Sequence, residues 1–379
     1  MNYLAIDISG KVENYDEALY LVMSERIPAD ARMVFACPYY TIVKNAKPLR
    51  LCSLVAPSQR QSVHLAKRLI KAIEGIINYL RLLQYLRHNT VQVLHLQWLP
   101  FLEICSIEKY ILKYLRKHYQ HLKIILTIHN IYPHNSTPKR QAEYRQRMMG
   151  VMPFISHFIT HTQNSRHTIN EEFGLPLNRI SVIHHGIFMP DKFPNRKRED
   201  NKIRILLFGQ QSGYKGTDLL IEAIEQLPKV YHQKVETRII GTTSKELIEA
   251  YFERAQQIGV IWQNEFIKDE QLYQEIQNAD ILVYPYRAIS QSGALLLGIA
   301  FRKIIILSDL PSFKETMGNS YPSTLFFHNG SAEGLTTTIC QCIDQYDEYK
   351  TRVMPILQSI IEENSWENAA DKTITLYNQ

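Results

Sequence analysis

The stretch Ile205-Leu206-Leu207-Phe208-Gly209-Gln210-Gln211-Ser212-Gly213-Tyr214-Lys215-Gly216-Thr217-Asp218-Leu219-Leu220 sets an unbroken apolar run against a glycine, a polar loop and a second, amphipathic run. A short apolar run closed by glycine is the pattern of a strand buried on both faces, and a helix opens at about Thr217. Strand, loop and helix make one βα unit. The first N–H groups of a helix have no partner inside it, so they and Lys215 can face the same anion. The spacing of a Walker loop is absent, and a surface turn with a solvated lysine is the plain alternative.

The same alternation continues outward in both directions. Downstream it predicts strand Ile203 to Phe208, helix Thr217 to Gln226, strand Thr237 to Ile240, helix Lys245 to Ile258 and strand Ile261 to Gln263. Helix Asp269 to Gln277, strand Ile281 to Tyr284, helix Gly293 to Phe301 and strand Ile304 to Leu307 follow. Upstream the strands are Tyr3 to Ile8, Met33 to Cys37, Val91 to Leu96, Lys123 to Ile128 and His157 to His161. Helical periodicity fills Glu17 to Ser24, Ser62 to Arg87 and Ile107 to Tyr119. Between the halves, "FMPDKFPNRKREDNK" (188–202) combines two prolines with a mixed charge run and reads as a linker. The expectation is an α/β protein of two Rossmann-like domains facing a central cleft.

At 379 residues the chain has room for two domains with ample cores. No apolar run is long enough to cross a bilayer and no leader pattern opens the sequence, which implies a cytoplasmic or membrane-peripheral protein. Five scattered cysteines form neither a disulfide framework nor a zinc-ligand spacing. The net charge of +6 is unevenly spread: residues 1–190 hold 23 Lys and Arg against 12 Asp and Glu, residues 191–379 hold 20 against 25. The first half can therefore meet an anionic surface. "AKRLIKAIEGIINYLRLLQYLRH" (66–88) and "EKYILKYLRKHYQHLK" (108–123) read as core-packed helices with solvated basic faces, or as helices that dock on an anionic membrane.

Two places carry chemistry besides the Lys215 loop. After strand Ile281 to Tyr284, the residues Ser290, Gln291, Ser292 and Gly293 open an apolar helix. Serine there caps free N–H groups, and glycine lets a phosphate approach the same groups. In the first half His95, His129 and His161 each end a strand, which places them at the ligand side of a parallel sheet. No helical His pair with a nearby carboxylate makes a metal set, so hydrogen bonding to a ligand is their better role.

In this order the residues have a family likeness. "HLQWLP" (95–100), "TIHNIYPH" (127–134), "THTQNSRHTI" (160–169), "VIHHGIF" (182–188), "FGQQSGYKGTDLLIEAI" (208–224), "NADILVYPYRAISQSGALLLGIAFRKIIILSDLPSFKE" (278–315) and "SWENAADKTITLYN" (365–378) resemble retaining, nucleotide-sugar-dependent glycosyltransferases of the GT-B fold. The resemblance is to the large group-one family, family 4, that builds bacterial polysaccharides and glycolipids such as capsule, exopolysaccharide and lipopolysaccharide. It implies an acceptor domain over 1–190, a donor domain over 196–364 and a last helix, 365–379, crossing back to the first.

The resemblance implies transfer of a hexose-type sugar from a nucleoside diphosphate sugar to a saccharide or polyprenyl-diphosphate-linked acceptor, without a metal or other cofactor and without nucleic acid. Lys215, with Gly209 beside it, would hold the donor diphosphate together with Ser292 and Gly293, and His129 would support transfer from the first domain. The family's arginine just before that lysine is missing, and Arg287 or the Arg302-Lys303 pair are candidates to replace it, although a solvated turn is the plainer reading of the pair. Ile289 and Leu297 stand where many members carry two glutamates, as in the branch with "QSG" at the helix start, so Gln291 and Glu315 become the nearest polar candidates for sugar and ribose. A nucleotide-sugar epimerase of the same fold, or a silent member that binds glycans or scaffolds partners, are the alternatives.

Overall fold

A computed structural model describes residues 1–54, 65–133, 136–196, 200–289 and 291–379. In chain order the elements of the first half are β1 (Asn2–Asp7), α1 (Glu13–Arg26), β2 (Arg32–Ala36), β3 (Thr41–Lys44), α2 (Leu65–His88), β4 (Val93–Trp98) and α3 (Ile107–His118). Then come β5 (Lys123–Thr127), α4 (Pro138–Val151), β6 (His157–Thr160), α5 (Gln163–Phe173) and β7 (Ile180–Val182). The second half holds β8 (Ile203–Phe208), α6 (Thr217–Glu225), α7 (Lys229–His232), β9 (Val235–Ile240), α8 (Lys245–Gln257), β10 (Ile261–Gln263) and α9 (Asp269–Asn278). It continues through β11 (Ile281–Tyr284), α10 (Gly293–Ala300), β12 (Ile304–Ser308), α11 (Pro311–Met317), β13 (Phe326–Phe327), α12 (Ala332–Asp344) and α13 (Tyr346–Glu363), and α14 (Trp366–Asn378) ends the chain. Ser62 to His64, read as the start of the second helix, His134, Ser290 and the linker residues 197–199 lie outside the described residues.

Two compact units result: Met1–Gly186 with Ser365–Gln379, and Ile187–Asn364. The first has the sheet order β3-β2-β1-β4-β5-β6-β7, parallel except for the antiparallel edge pair β2·β3. The second has the wholly parallel order β10-β9-β8-β11-β12-β13. These are the two Rossmann-like α/β sheets that the alternation implied. Each has one switch point, between β1 and β4 and between β8 and β11, where connections leave in opposite directions and a crevice opens at the carboxyl ends.

The central strands are buried on both faces: every residue of β11 and β12 is buried, which is why both read as continuous apolar runs. Helix α10 is apolar nearly all round because it lies pressed on the sheet, with room at Gly298 for no side chain. A Cβ there would stand 2.4 Å from the Tyr284 hydroxyl. Helix α4, by contrast, buries only Met148 and Val151, and α5 only Ser165, Ile169 and Phe173, so neither shows the periodicity that betrays a helix.

Helix α14 packs in the first unit. Tyr377 reaches the buried His95 (Oη to Nδ1 2.7 Å), Tyr3 donates to Asn378 Oδ1 (2.6 Å), and Arg26 pairs with Asp371 (2.5 Å). Trp366 lies so close to Gly186 that a Cβ there would meet its ring at 2.3 Å.

A close backbone contact holds β8 and β9 together in the second unit, where a Cβ on Gly241 would sit 2.2 Å from the Gly209 carbonyl oxygen, at φ +121°. We expect Gly241→Ala to destabilise this unit by roughly 2 to 4 kcal/mol, since collision and backbone strain add. A thermal melt within a degree of the parent protein would contradict that packing.

Candidate active site

Gly209 follows β8 beside the switch point, and its N–H donates to the Ile240 carbonyl (3.0 Å). The loop then turns back through Gly216, whose φ of +68° and approach to Pro285 (a Cβ would be 1.9 Å from its carbonyl oxygen) permit only glycine. Lys215 is carried into the crevice this makes. It is buried to 8% exposure, and a Cβ on Gly209 would stand 3.2 Å from its Nζ. The ammonium lies 4.9 Å from the centroid of the Tyr286 ring and makes no ion pair with any described residue. Desolvation lowers its pKa, with the Tyr214 phenol acting weakly the other way. A buried cation without an anion is costly, and the site is therefore built to accept one.

Gln211 holds the loop in shape. Fully buried, it donates from Nε2 to the Gly209 carbonyl (2.7 Å) and accepts from Thr217 Oγ1 (2.8 Å). Arg287 clamps the other side: its guanidinium is bidentate on Asp218 (2.8 and 2.6 Å) and donates to the Gly213 carbonyl (2.9 Å). With Asp218 as its counter-ion, Arg287 adds shape to the loop but little net charge.

At the neighbouring strand end, Ser292 is the N-cap of α10, accepting from the Leu295 N–H (3.1 Å). Cap and approach to an anion therefore coexist, because Gly293 is exposed with open space where a side chain would be. The Tyr286 ring bridges the two parts, with Lys215 over its face and its hydroxyl toward Ser292 without a well-formed hydrogen bond. Gln291 is half-buried immediately before the cap. Glu315 is half-buried two elements further on, in α11, whose Ser312 donates to the Ile289 carbonyl (2.9 Å). Lys215 thus lies beside Gly209 and the Tyr286 ring, whose hydroxyl points toward Ser292, with Gly293 next in the chain; Ile289 and Leu297 pack against the apolar core. The Arg302-Lys303 pair is elsewhere and is not a solvated turn. Arg302 donates to Gln358 Oε1 (2.9 and 2.7 Å) and Lys303 to the Gln277 carbonyl (2.8 Å).

In the first unit, His129 follows β5. His161 Nδ1 faces the Ile183 carbonyl (2.9 Å), which can only accept, so Nδ1 carries the proton and Nε2 is an acceptor. His129 Nδ1–H then donates to that Nε2 (3.0 Å), leaving His129 Nε2 as a bare acceptor, buried and with no partner among the described residues. Desolvation, then the neighbouring His161 and His185, hold His129 well below the ordinary imidazole range, and desolvation takes His161 to about 3. Tyr15 lies edge-on to His129 (4.9 Å), and Trp98 stacks on it at 6.2 Å. Lys11 stands 5.7 Å above Trp98, so the β1/β4 switch point carries a cation over an indole. His95, the third histidine of the set, is wholly internal: Tyr20, Tyr377 and Thr127 surround it at 2.7 to 2.9 Å.

Sequence reasoning missed Gln211, Tyr286, Trp98 and Lys11. Tyr286, an aromatic after a strand-ending proline, and the "SGK" that follows β1 were the available signals. Among the described residues no group of three or more His, Cys, Asp or Glu side chains is placed to hold a metal ion.

Residues 202–345 match the model of the family described as glycosyl transferases group 1, so the second unit carries a domain of that enzyme class. No curated protein matches the sequence. Among solved structures, the chain is similar to sucrose-phosphate synthase from Thermosynechococcus elongatus (TM-score 0.72, 13% identity, 100% of this chain and 98% of the other). It is also similar to Anabaena Alr3699/HepE, solved in complex with UDP-glucose (TM-score 0.68, 13% identity, 100% of both chains). A glycosyltransferase from Rickettsia africae is a third (TM-score 0.65, 15% identity, 99% and 97%). At such identities the likeness is one of fold, the GT-B fold.

The histidine tautomers give a direct test. Because burial lowers these pKa values, the rings stay neutral in the folded protein through the range where a free histidine protonates near pH 6.5. Imidazole nitrogen NMR at pH 5 should show His129 and His161 as single neutral tautomers; protonation of either near pH 6.5 would refute the assignment.

Proposed function

We propose that the protein is a retaining glycosyltransferase moving a hexose-type sugar from a nucleoside diphosphate sugar to a saccharide or lipid-linked saccharide, in polysaccharide or glycolipid assembly. The observation that carries this reading is Lys215, a buried cation without a counter-ion among the described residues, at the switch point of a sheet whose sequence matches group 1 glycosyl transferases. Lys215, the loop N–H groups and the open start of α10 would receive the diphosphate. UDP, which the Anabaena structures contain, is the first nucleotide to try.

The reaction forms a bond from the acceptor hydroxyl oxygen to the anomeric carbon as the bond from that carbon to the diphosphate oxygen breaks. Attack on the face that the leaving group vacates retains configuration, and the departing phosphate takes the hydroxyl proton. No protein nucleophile is required. The positive charge of Lys215 and of the helix start stabilises the leaving diphosphate, and so the reaction is proposed as metal-independent. His129, neutral and with a bare Nε2, is suited to accept a hydrogen bond from a sugar hydroxyl, which orients rather than ionises. A silent, ligand-binding role retains one argument, the apolar Ile289 and Leu297 at positions where acids were expected.

Calorimetry separates the two. UDP should bind the parent protein, and Lys215→Met should weaken binding by roughly 10- to 100-fold, the worth of one charge-assisted contact. With UDP-glucose and a saccharide acceptor, proton NMR of the product should show the donor's anomeric configuration, and His129→Ala should lower turnover more than His129→Gln. No nucleotide binding at all would favour the silent reading.

We place the enzyme at the cytoplasmic face of an anionic membrane, through α2. Among the described residues no helix is long and apolar enough to cross a membrane. The outward face of α2 nevertheless shows Leu69 (61% exposed), Ile73 (53%), Ile76 (43%) and Leu80 (61%) at helical spacing, with Arg81 to one side, while its inward face buries Glu74, Asn78, Tyr79 and Leu82 and turns Lys71 onto Glu74 (2.5 Å). Ile73→Asp with Leu80→Asp should abolish flotation on phosphatidylglycerol vesicles and leave UDP binding unchanged; flotation unaltered by the pair would remove α2 from this role.

A further inference from the structure

The amino ends of β11 and β12, opposite the Lys215 crevice, enclose a cavity of about 300 Å³. Four cations line it, Arg196, Arg302, Lys303 and Lys350, and Asp280 is the one acid among its described lining residues. Asp280 is already engaged: it accepts from Arg196 (2.7 Å), the Arg204 N–H (2.9 Å) and the Tyr346 hydroxyl (3.1 Å). It therefore offsets Arg196, and among the described lining residues Arg302 and Lys350 remain as cations beyond that pair. Arg302 meets only neutral oxygens, those of Gln358 and Ala300. Lys350 lies 5.9 Å over the Tyr346 ring, and neither Arg302 nor Lys350 has a carboxylate within ion-pair distance among the described residues.

Arg302 occupies this place against a local penalty. Its φ is +52°, just after α10, a left-handed helix-ending position that favours glycine. A cation near a helix carboxyl end has some value of its own, yet that does not account for Lys303 and Lys350 converging on the same space. Phe193 and Phe301, whose rings meet at 5.1 Å, supply an apolar wall. These remaining cations, a wall for a carbon skeleton and this volume together fit a small organic phosphate.

We propose that this cavity is an anion site of the second unit, separate from the Lys215 crevice, that binds a small phosphate monoester. Glucose 6-phosphate and inorganic phosphate serve as probes, titrated calorimetrically into the full chain carrying Lys215→Met, so that the other crevice does not compete. Both should bind, the sugar phosphate more tightly. Arg302→Gly should weaken binding about tenfold or more while melting at the same temperature or higher, because glycine relieves the positive φ. If that variant melts lower, Lys350→Ala, at an exposed position, carries the same comparison. No binding of either probe, binding indifferent to both substitutions, or binding only to phosphatidylglycerol vesicles would overturn the proposal. UDP binding to chains with native Lys215 should be unaffected by Arg302→Gly, so failure here leaves the transferase reading untouched.

Discussion

The second unit depends on backbone meeting backbone without side chains between. Gly209 and Gly241 bring the ends of β8 and β9 together, and Gly216 lets the following loop rest on Pro285 at the end of β11. Only this closeness allows a loop of so few residues to turn a lysine inward over Gly209 and Tyr286. The cost of desolvating the ammonium is borne by the apolar sheet beneath, and the loop is pinned by Gln211 and by the Arg287–Asp218 pair on either side. The binding crevice is thus a product of steric economy first and of charge second.

In the first unit the order is reversed, and polar groups are organised by what burial forbids. His95, His129, His161 and His185 lie where protonation is expensive, and one fixed carbonyl, that of Ile183, decides the proton positions of His161 and His129. Asp7 is the counterpart at β1: its fully buried carboxylate accepts the N–H groups of Ser9, Gly10 and Val12, which shapes the loop that carries Lys11. Burial nevertheless raises its pKa, with those hydrogen bonds acting in the opposite direction.

What could be read in the sequence follows from how local each cause is. Strands β8, β11 and β12 are buried on both sides and announce themselves as apolar runs, and the Gly209 to Lys215 loop is a contiguous signal. Helices α4 and α5 show few buried residues, β3 is a short antiparallel edge strand, and β7 has three residues. None of these leaves a periodic trace. The partners that give the crevices their character are non-local: Asp218 and Arg287 are 69 residues apart, His129 and His161 are 32 apart, and no spacing rule connects them. The Arg302-Lys303 pair could be seen as unusual from sequence, but its direction, away from the Lys215 crevice, could not.

The place of α14 has a consequence for how the molecule is made. A ribosome produces β1 to β7 first and residues 366–378 only after all of the second unit, so the first sheet waits throughout that interval with the Tyr377 contact to His95 unmade and the face that receives Trp366 uncovered. The unit begun first is completed last. Its assembly therefore waits in its final step on synthesis of the whole second unit, and during that interval an apolar surface beside α1 stays open to chaperones or to misplaced partners.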